Sequence, residues 1–354
     1  MKQNYLNLKM PVRYAINTVI IIGFLVAGYF ITQGGMLSRA QNNILIQVGI
    51  FIILAVSLNL SAGYLGQLPL GHAGFMAVGA YSGAIFWRTM RLAGYDALFQ
   101  GYGAVLGGLV LAGLVAALFG VLIGIPALRL RGDYLAIITL GFGEMIRVLI
   151  MNLPHRTVDG VQQTFTGGAQ GLHQIPRHSS FIIVFACVVI CCIVIHMMMK
   201  SRHGRAILAI RDNEIATESM GINTTYYKVM AFALSAFFAG VAGALWAGNV
   251  GILVPSDFDF MMSINILMIV VLGGMGSMMG SIVGATVLTS LPLLMRELSD
   301  FRMIIYALLL ILVMIFKPSG LMGKYDFSLS HIIGKTGGFL MKKDKEGGTP
   351  SDNS

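Results

Sequence analysis

A chain of 354 residues that is 56% hydrophobic and only 11% charged cannot cover itself with a water-soluble surface, since soluble domains run at roughly 45–50% and roughly 25%. The formal net charge of +9 does not point to nucleic acid, because no basic run is interleaved with aromatics on a polar fold. The excess Lys and Arg read instead as loop charges of a membrane protein, and the 44 glycines sit inside apolar runs, where close helix packing in lipid uses small residues.

In chain order, the first apolar run, 12–31, follows Lys2, Lys9 and Arg13. It is longer than a signal h-region and lacks an AxA site, so a retained span is expected rather than a cleaved signal. Further spans are predicted at 43–60, 75–90, 102–124, 134–152, 181–200 and 226–250, followed by three shorter ones at 261–272, 278–295 and 301–316. The expected fold is therefore all-α, a polytopic transmembrane helix bundle of about ten spans with broken or short helices. It forms a single transmembrane domain over 1–334, with a cytoplasmic segment at 201–225 and a polar, basic tail at 335–354 expected to be disordered in the cytoplasm.

Orientation follows from charge. If the spans alternate from a cytoplasmic N-terminus, seven of the 24 Lys and Arg fall outside, namely Arg39, Arg88, Arg91, Arg156, Arg177, Arg296 and Arg302. Arg147 lies within a span, and the remaining sixteen fall inside. The excess of positive charge inside predicts that both termini are cytoplasmic and that 153–180 lies outside. The three cysteines, Cys187, Cys191 and Cys192, share one apolar span without CxxC spacing or paired histidines, and they read as small packing residues rather than metal ligands.

Two interruptions stand out. The segment 63–75, GYLGQLPLGHAGF, breaks an apolar region with glycines and a proline. In the other half of the chain, GGMGSMMG at 273–280 separates two short spans. Broken helices expose backbone N–H and C=O groups that lipid cannot satisfy, so they are tolerated only where they line a cavity or lie inside protein. Paired interruptions in corresponding halves point to a transport site for a polar or zwitterionic solute. The candidate pathway residues are Gly63, Gly66, Gln67, Gly71 and His72 in the first break and Gly273, Gly274, Gly276 and Ser277 in the second. The competing explanation is close packing of glycine-faced helices.

Glu144 and Arg147 lie three residues apart near the middle of the fifth span and so share a helix face. Facing lipid, each would cost roughly 3 kcal/mol, so the two are expected to face the bundle as an intramembrane pair, either structural or in contact with solute. His72 and His196 read first as packing or hydrogen-bonding residues. The inside segment 201–222, SRHGRAILAIRDNEIATESMGI, mixes helix formers with an apolar face at Ile207, Ile210 and Ile215, and Gly221 is placed to stop the helix. A helix lying on the membrane surface would fit. Its mixed charges, at Arg205, Arg211, Asp212, Glu214 and Glu218, favour a docking element for a soluble partner.

At these residues the sequence resembles the LivM branch of the permease subunits of branched-chain amino-acid ABC importers, over roughly 43–317. The most specific piece is 201–222, similar to the cytoplasmic loop by which such a permease engages its ATPase. Supporting pieces are 63–75, LRGDY at 130–134 running into TLGFGE at 139–144, TGGAQGL at 166–172 and VLGGMGS at 271–277. Pro69 stands where the family often has Ser, so no hydroxyl contact is implied there.

The resemblance implies a permease in the bacterial cytoplasmic (inner) membrane that forms the pathway for branched-chain amino acids. It also implies a second homologous permease subunit, two cytoplasmic ATPase subunits and an extracytoplasmic solute-binding protein, with membrane lipid as the remaining partner. No cofactor is expected in this chain, ATP being bound by the partner subunits, and no GxxxxGK[ST] occurs. An enzyme is not expected, for there is no HExxH and no catalytic Ser, His and Asp set. Related permeases for urea or short amides, and an ion-coupled secondary transporter, remain the alternatives; the inside helix argues against the latter.

Overall fold

The computed structural model describes residues 38–92, 102–128, 133–153, 155–158, 161–164 and 166–294, with 130, 308, 311, 315, 316, 320 and 321. The predicted span at 12–31, most of that at 301–316, and the tail lie outside the described residues. The description begins at Ser38, whose hydroxyl and Gln41 form a capping box that starts helix α1, Arg39–Asn59. This helix runs without interruption into a π-turn, Leu60–Tyr64. There follow α2 (His72–Leu92), α3 (Tyr102–Ala127) and α4 (Asp133–Asn152).

A short hairpin of β1 (His155–Val158) and β2 (Val161–Thr164), paired antiparallel, then interrupts the otherwise helical chain, a feature the all-α expectation did not include. The remaining helices are α5 (Phe181–Lys200), α6 (Arg202–Asp212), α7 (Glu214–Ser219), α8 (Thr224–Val250), α9 (Phe260–Gly273) and α10 (Met278–Leu294).

Among the described residues five helices are long and apolar enough to cross a membrane, at Ala40–Tyr64, Gly103–Ala127, Tyr134–Asn152, Phe181–Lys200 and Thr224–Val250. Phe260–Gly273 and Met278–Leu291 are shorter apolar helices. Helix α2, predicted as a span, is not among the five although it has 21 residues. It is walled in by α8 and α3 and meets α4, so its surface is selected for close approach to protein rather than for contact with lipid.

Helix α8 is the spine. It packs along α3 and α2 and also meets α1, and its middle is a run of buried small residues including Ala236, Ala239, Gly240, Gly243, Ala244 and Ala247. A Cβ at Gly79 would fall on the backbone of Gly240, and one at Gly243 on the carbonyl of Met76. The glycines thus bring α2 and α8 to backbone contact, the device that replaces hydrophobic driving force inside a bilayer. Outward faces are apolar: Leu106, Val110, Leu114, Leu118 and Leu122 form an exposed stripe along α3, and Ile190, Ile193 and Met197 do so on α5. An exposed stripe of that kind is stable against lipid and unstable against water.

Candidate functional site

The first interruption begins as a widening of the helical turn. Leu65 N–H donates to Leu60 O (3.1 Å) and Gln67 N–H to Ser61 O (3.0 Å), so the ordinary helical ladder is abandoned from Leu60 onward. Gly66 takes φ +75°, a conformation other residues adopt only at a cost of roughly 1–2 kcal/mol. The non-helical stretch through Gly71 then brings His72, the first residue of α2, beside α1, with its Nε2 3.1 Å from Ser57 Oγ. Leu70 N–H donates to Thr139 Oγ1 (3.0 Å), and a Cβ at Gly71 would strike the Thr139 carbonyl. Ala73 N–H donates to Ser263 Oγ (3.1 Å) on α9. The break therefore falls at 65–71, shorter than the 63–75 segment, and side chains of α4 and α9 meet Leu70 N–H within it and Ala73 N–H in the first turn after it.

The second interruption is tighter. Helix α9 ends at Gly273, and α10 begins at Met278 after a turn closed by Ser277 N–H on Gly274 O (3.2 Å). Gly276 has φ +83°. Ser277 Oγ accepts Gly280 N–H (3.1 Å) in the first turn of α10, the usual service of a serine at a helix start. Cβ atoms at Gly273 and Gly280 would each fall on the other's backbone.

The two breaks meet. Asn59, fully buried near the end of α1, accepts Gly276 N–H at 2.8 Å and donates to Ser277 O at 3.0 Å. Gly63 sits against both partners of this knot, since a Cβ there would fall on Asn59 Oδ1 and Gly276 N. Further buried hydroxyls extend it, with Ser235 Oγ on α8 donating to Ser57 O (2.7 Å) and Ser61 Oγ to Leu58 O (3.0 Å). Among the described residues Gln67 Oε1 is buried without a hydrogen-bond partner. Sequence reasoning placed Gly63, Gly276 and Ser277 here but missed Asn59 and Ser235. The available signal was an amide near the end of an apolar span, four residues before Gly63.

Glu144 and Arg147 form the expected pair, Oε2 to Nε at 2.7 Å, with about a third of the Glu144 side chain exposed. The second carboxylate oxygen accepts Phe260 N–H (3.1 Å) at the start of α9, where an anion is favoured by the helix dipole. The pair therefore anchors the helix that leads into the second break.

The segment 201–222 is not one helix. Asn213 adopts an extended conformation (φ −159°), ends α6 and caps α7 through Ala216 N–H to its Oδ1 (3.0 Å). Asparagine serves readily in that double role because its short side chain competes with the helical backbone. Ile207 and Ile210 are buried, but the kink turns Ile215 outward to 65% exposure, so the expected apolar face ends at Asn213. Arg205, Asp212, Glu218 and Gly221 are exposed, and Gly221 follows the last turn with its N–H on Glu218 O (2.9 Å).

Two of the charges expected on the outer face are engaged by the bundle, although Arg211 remains exposed. Glu214 pairs with Lys228 of α8 at 2.7 Å, and that lysine is only 3% exposed. Arg211 donates from Nη1 to Gly63 O (3.2 Å) and from Nη2 to Asp212 Oδ1 (3.3 Å). On the far side of the bundle, TGGAQGL docks as a compact loop: Leu172 and Leu253 exchange backbone hydrogen bonds of 2.8 and 3.0 Å, and Thr166 Oγ1 donates to Ile150 O at 3.0 Å.

Comparison with known proteins matches residues 41–316 to the family described as branched-chain amino acid transport system, permease component. The high-affinity branched-chain amino acid transport system permease proteins LivM of Salmonella typhimurium and of Escherichia coli are each 36% identical over 321 residues, covering 81% of this chain and 71% of theirs. LivH of Escherichia coli, the permease protein of the same description, is 23% identical over 292 residues, covering 77% of this chain and 91% of its own. No solved structure matches. A transmembrane bundle with two helix breaks joined at Asn59, matched over most of its length by these relatives, belongs to the family of permease components of branched-chain amino acid transport systems.

Proposed function

We propose that this chain is one membrane-spanning permease subunit of an ABC importer for branched-chain amino acids. With a second homologous permease it lines the translocation pathway, and two cytoplasmic ATPase subunits and an extracytoplasmic binding protein complete the importer in the bacterial cytoplasmic membrane. Both termini lie in the cytoplasm, about ten helices span or enter the bilayer, and ATP is bound only by the partners. The observation that carries this reading is the junction of the two broken helices at Asn59, with the charged segment 201–222 placed against it through Arg211.

In this reading the breaks move when solute passes. The polar atoms of Asn59, Gln67, His72 and Ser277, with the backbone at Gly63, Gly66, Gly274 and Gly276, become the pathway's lining as the two permeases separate. Gly71 and Gly273 set the packing distance on which that motion turns. The ATPase docks on the outward charges Arg205, Asp212 and Glu218 together with Ile215 and Met220, which are 65% and 82% exposed.

The test is ATP-driven uptake by the complex purified through this chain and reconstituted in proteoliposomes with its binding protein. Labelled leucine, isoleucine and valine are expected to accumulate and to compete with one another, and urea is not expected to compete. Accumulation without ATP, driven by an ion gradient, would overturn the importer reading; accumulation of urea alone would overturn the cargo. Glu218→Lys is expected to insert normally, because exposed substitutions change stability by about 0.5 kcal/mol, and to lose the ATPase subunits on purification. Glu214 is unsuitable for that test, since its removal strands the buried Lys228 charge.

A further inference from the structure

Building on the proposed docking role of 201–222, we propose that Arg211 is a positioning residue that faces away from the ATPase and ties the end of the cytoplasmic helix to the paired helix breaks. Two contacts and one near approach define the tie. The guanidinium Nη1 donates to Gly63 O at 3.2 Å. The aliphatic stem lies along Gly66, where an added Cβ would come within 2.7 Å of Arg211 Cγ. The same Nη1 lies 3.6 Å from where a Cβ of Gly276 would be. One side chain thus holds the first break from outside and lies beside Gly276 of the second, while Asn59 joins the two from inside through Gly276 N and Ser277 O.

The local chemistry explains why a cation is needed there. In an uninterrupted helix Gln67 N–H would close the turn on Gly63 O, but it is drawn to Ser61 O instead. Gly63 O is left facing the cytoplasmic helix, and Arg211 supplies the donor. Asp212 holds the guanidinium from its other side at 3.3 Å, fixing the orientation of the planar group. Helix α6 is seated on the bundle by Ile207 and Ile210, and α7 is fastened to α8 through Glu214 and Lys228. A displacement of the docked segment therefore reaches the spine helix through Glu214 and the breaks through Arg211.

The test uses the complex purified through this chain. Arg211→Met is expected to retain the ATPase subunits and ATP hydrolysis while leucine uptake falls at least about tenfold, the loss of one charge-assisted hydrogen bond. Arg211→Lys, which still offers a donor, is expected to recover uptake to within about threefold of the parent. A second measurement does not depend on the solute. In a version with the native cysteines replaced, maleimide labelling of Met275→Cys in the second break, where the parent residue is 49% exposed, is expected to change with ATP, and Arg211→Met is expected to abolish that change.

Uptake or ATP-responsive labelling unaffected by Arg211→Met overturns the tie. Loss of the ATPase subunits to the extent seen with Glu218→Lys also overturns it, placing Arg211 on the docking surface. Lysine no better than methionine in both readouts overturns the role of the Gly63 hydrogen bond. Failure of the docking reading is separately visible, as a Glu218→Lys complex that keeps its ATPase and transports normally.

Discussion

The two breaks look alike as sequence, each a cluster of glycines between apolar runs, but they are held open by different means. The first, 65–71, is a long excursion held by side chains from other helices, Thr139 on Leu70 N–H and Ser263 on Ala73 N–H just beyond its end. The second is a short turn held by contacts of backbone with backbone, Gly273 against Gly280, by its own Ser277, and by a single side chain from another helix, Asn59. A glycine cluster therefore does not specify one kind of break. What decides is whether the chain returns at once to pack on itself or must travel along neighbours to reach its next helix.

The comparison is broken most severely by filling the backbone contacts. Gly273→Val and Gly71→Val each place a branched side chain on a neighbouring backbone with nothing flexible to yield. The expected loss is about 3 kcal/mol or more, read as a collapse of monodisperse protein on size-exclusion chromatography in detergent. Normal yield for Gly71→Val alone would show that the longer break gives way where the shorter cannot.

Next in size is Asn59→Leu, which removes the link between the breaks and leaves the half-buried Gly276 N–H without its acceptor, while Ser277 O keeps Ser281 N–H and Oγ. The expected destabilisation is about 2 kcal/mol, measured as a lowered thermal midpoint. Asn59→Asp is expected to do no better, because it cannot donate to Ser277 O.

Gly66→Ala and Gly276→Ala compare the left-handed positions of the two breaks, at φ +75° and +83°. Each is expected to cost about 1 kcal/mol from backbone strain. Gly66→Ala is expected to cost more, because its methyl also meets the Arg211 stem, whereas around Gly276 the nearest atom is 3.5 Å away. Equal midpoints would mean that the Arg211 stem yields freely.

The smallest effect is expected from the pair that anchors the helix entering the second break. A double-mutant cycle with Glu144→Gln and Arg147→Gln should give a coupling of about 0.5–1 kcal/mol, small because polar groups in a membrane find other partners when one is removed. Additive changes would show that Glu144 acts on Phe260 N–H alone.

The sequence by itself determined the membrane class, the long and short apolar helices among the described residues to within a few residues, and the positions of both breaks, because each rests on local chemistry. Apolar run length, glycine content and the cost of unsatisfied backbone in lipid are read within a window of about twenty residues. The Glu144 and Arg147 pair was legible for the same reason, being neighbours on one turn. Tertiary structure alone decided that the breaks touch, that Asn59 rather than a glycine joins them, and that α2 is buried inside protein instead of facing lipid. It also decided which charges of 201–222 are engaged by the bundle: Arg211 and Glu214 carry the same local pattern as Glu218, yet Gly63 O and Lys228, distant in sequence, pair with the first two. A side chain's partner across such a separation leaves no periodic signal, since which carbonyl lacks a donor and which lysine is buried are properties of how the helices pack.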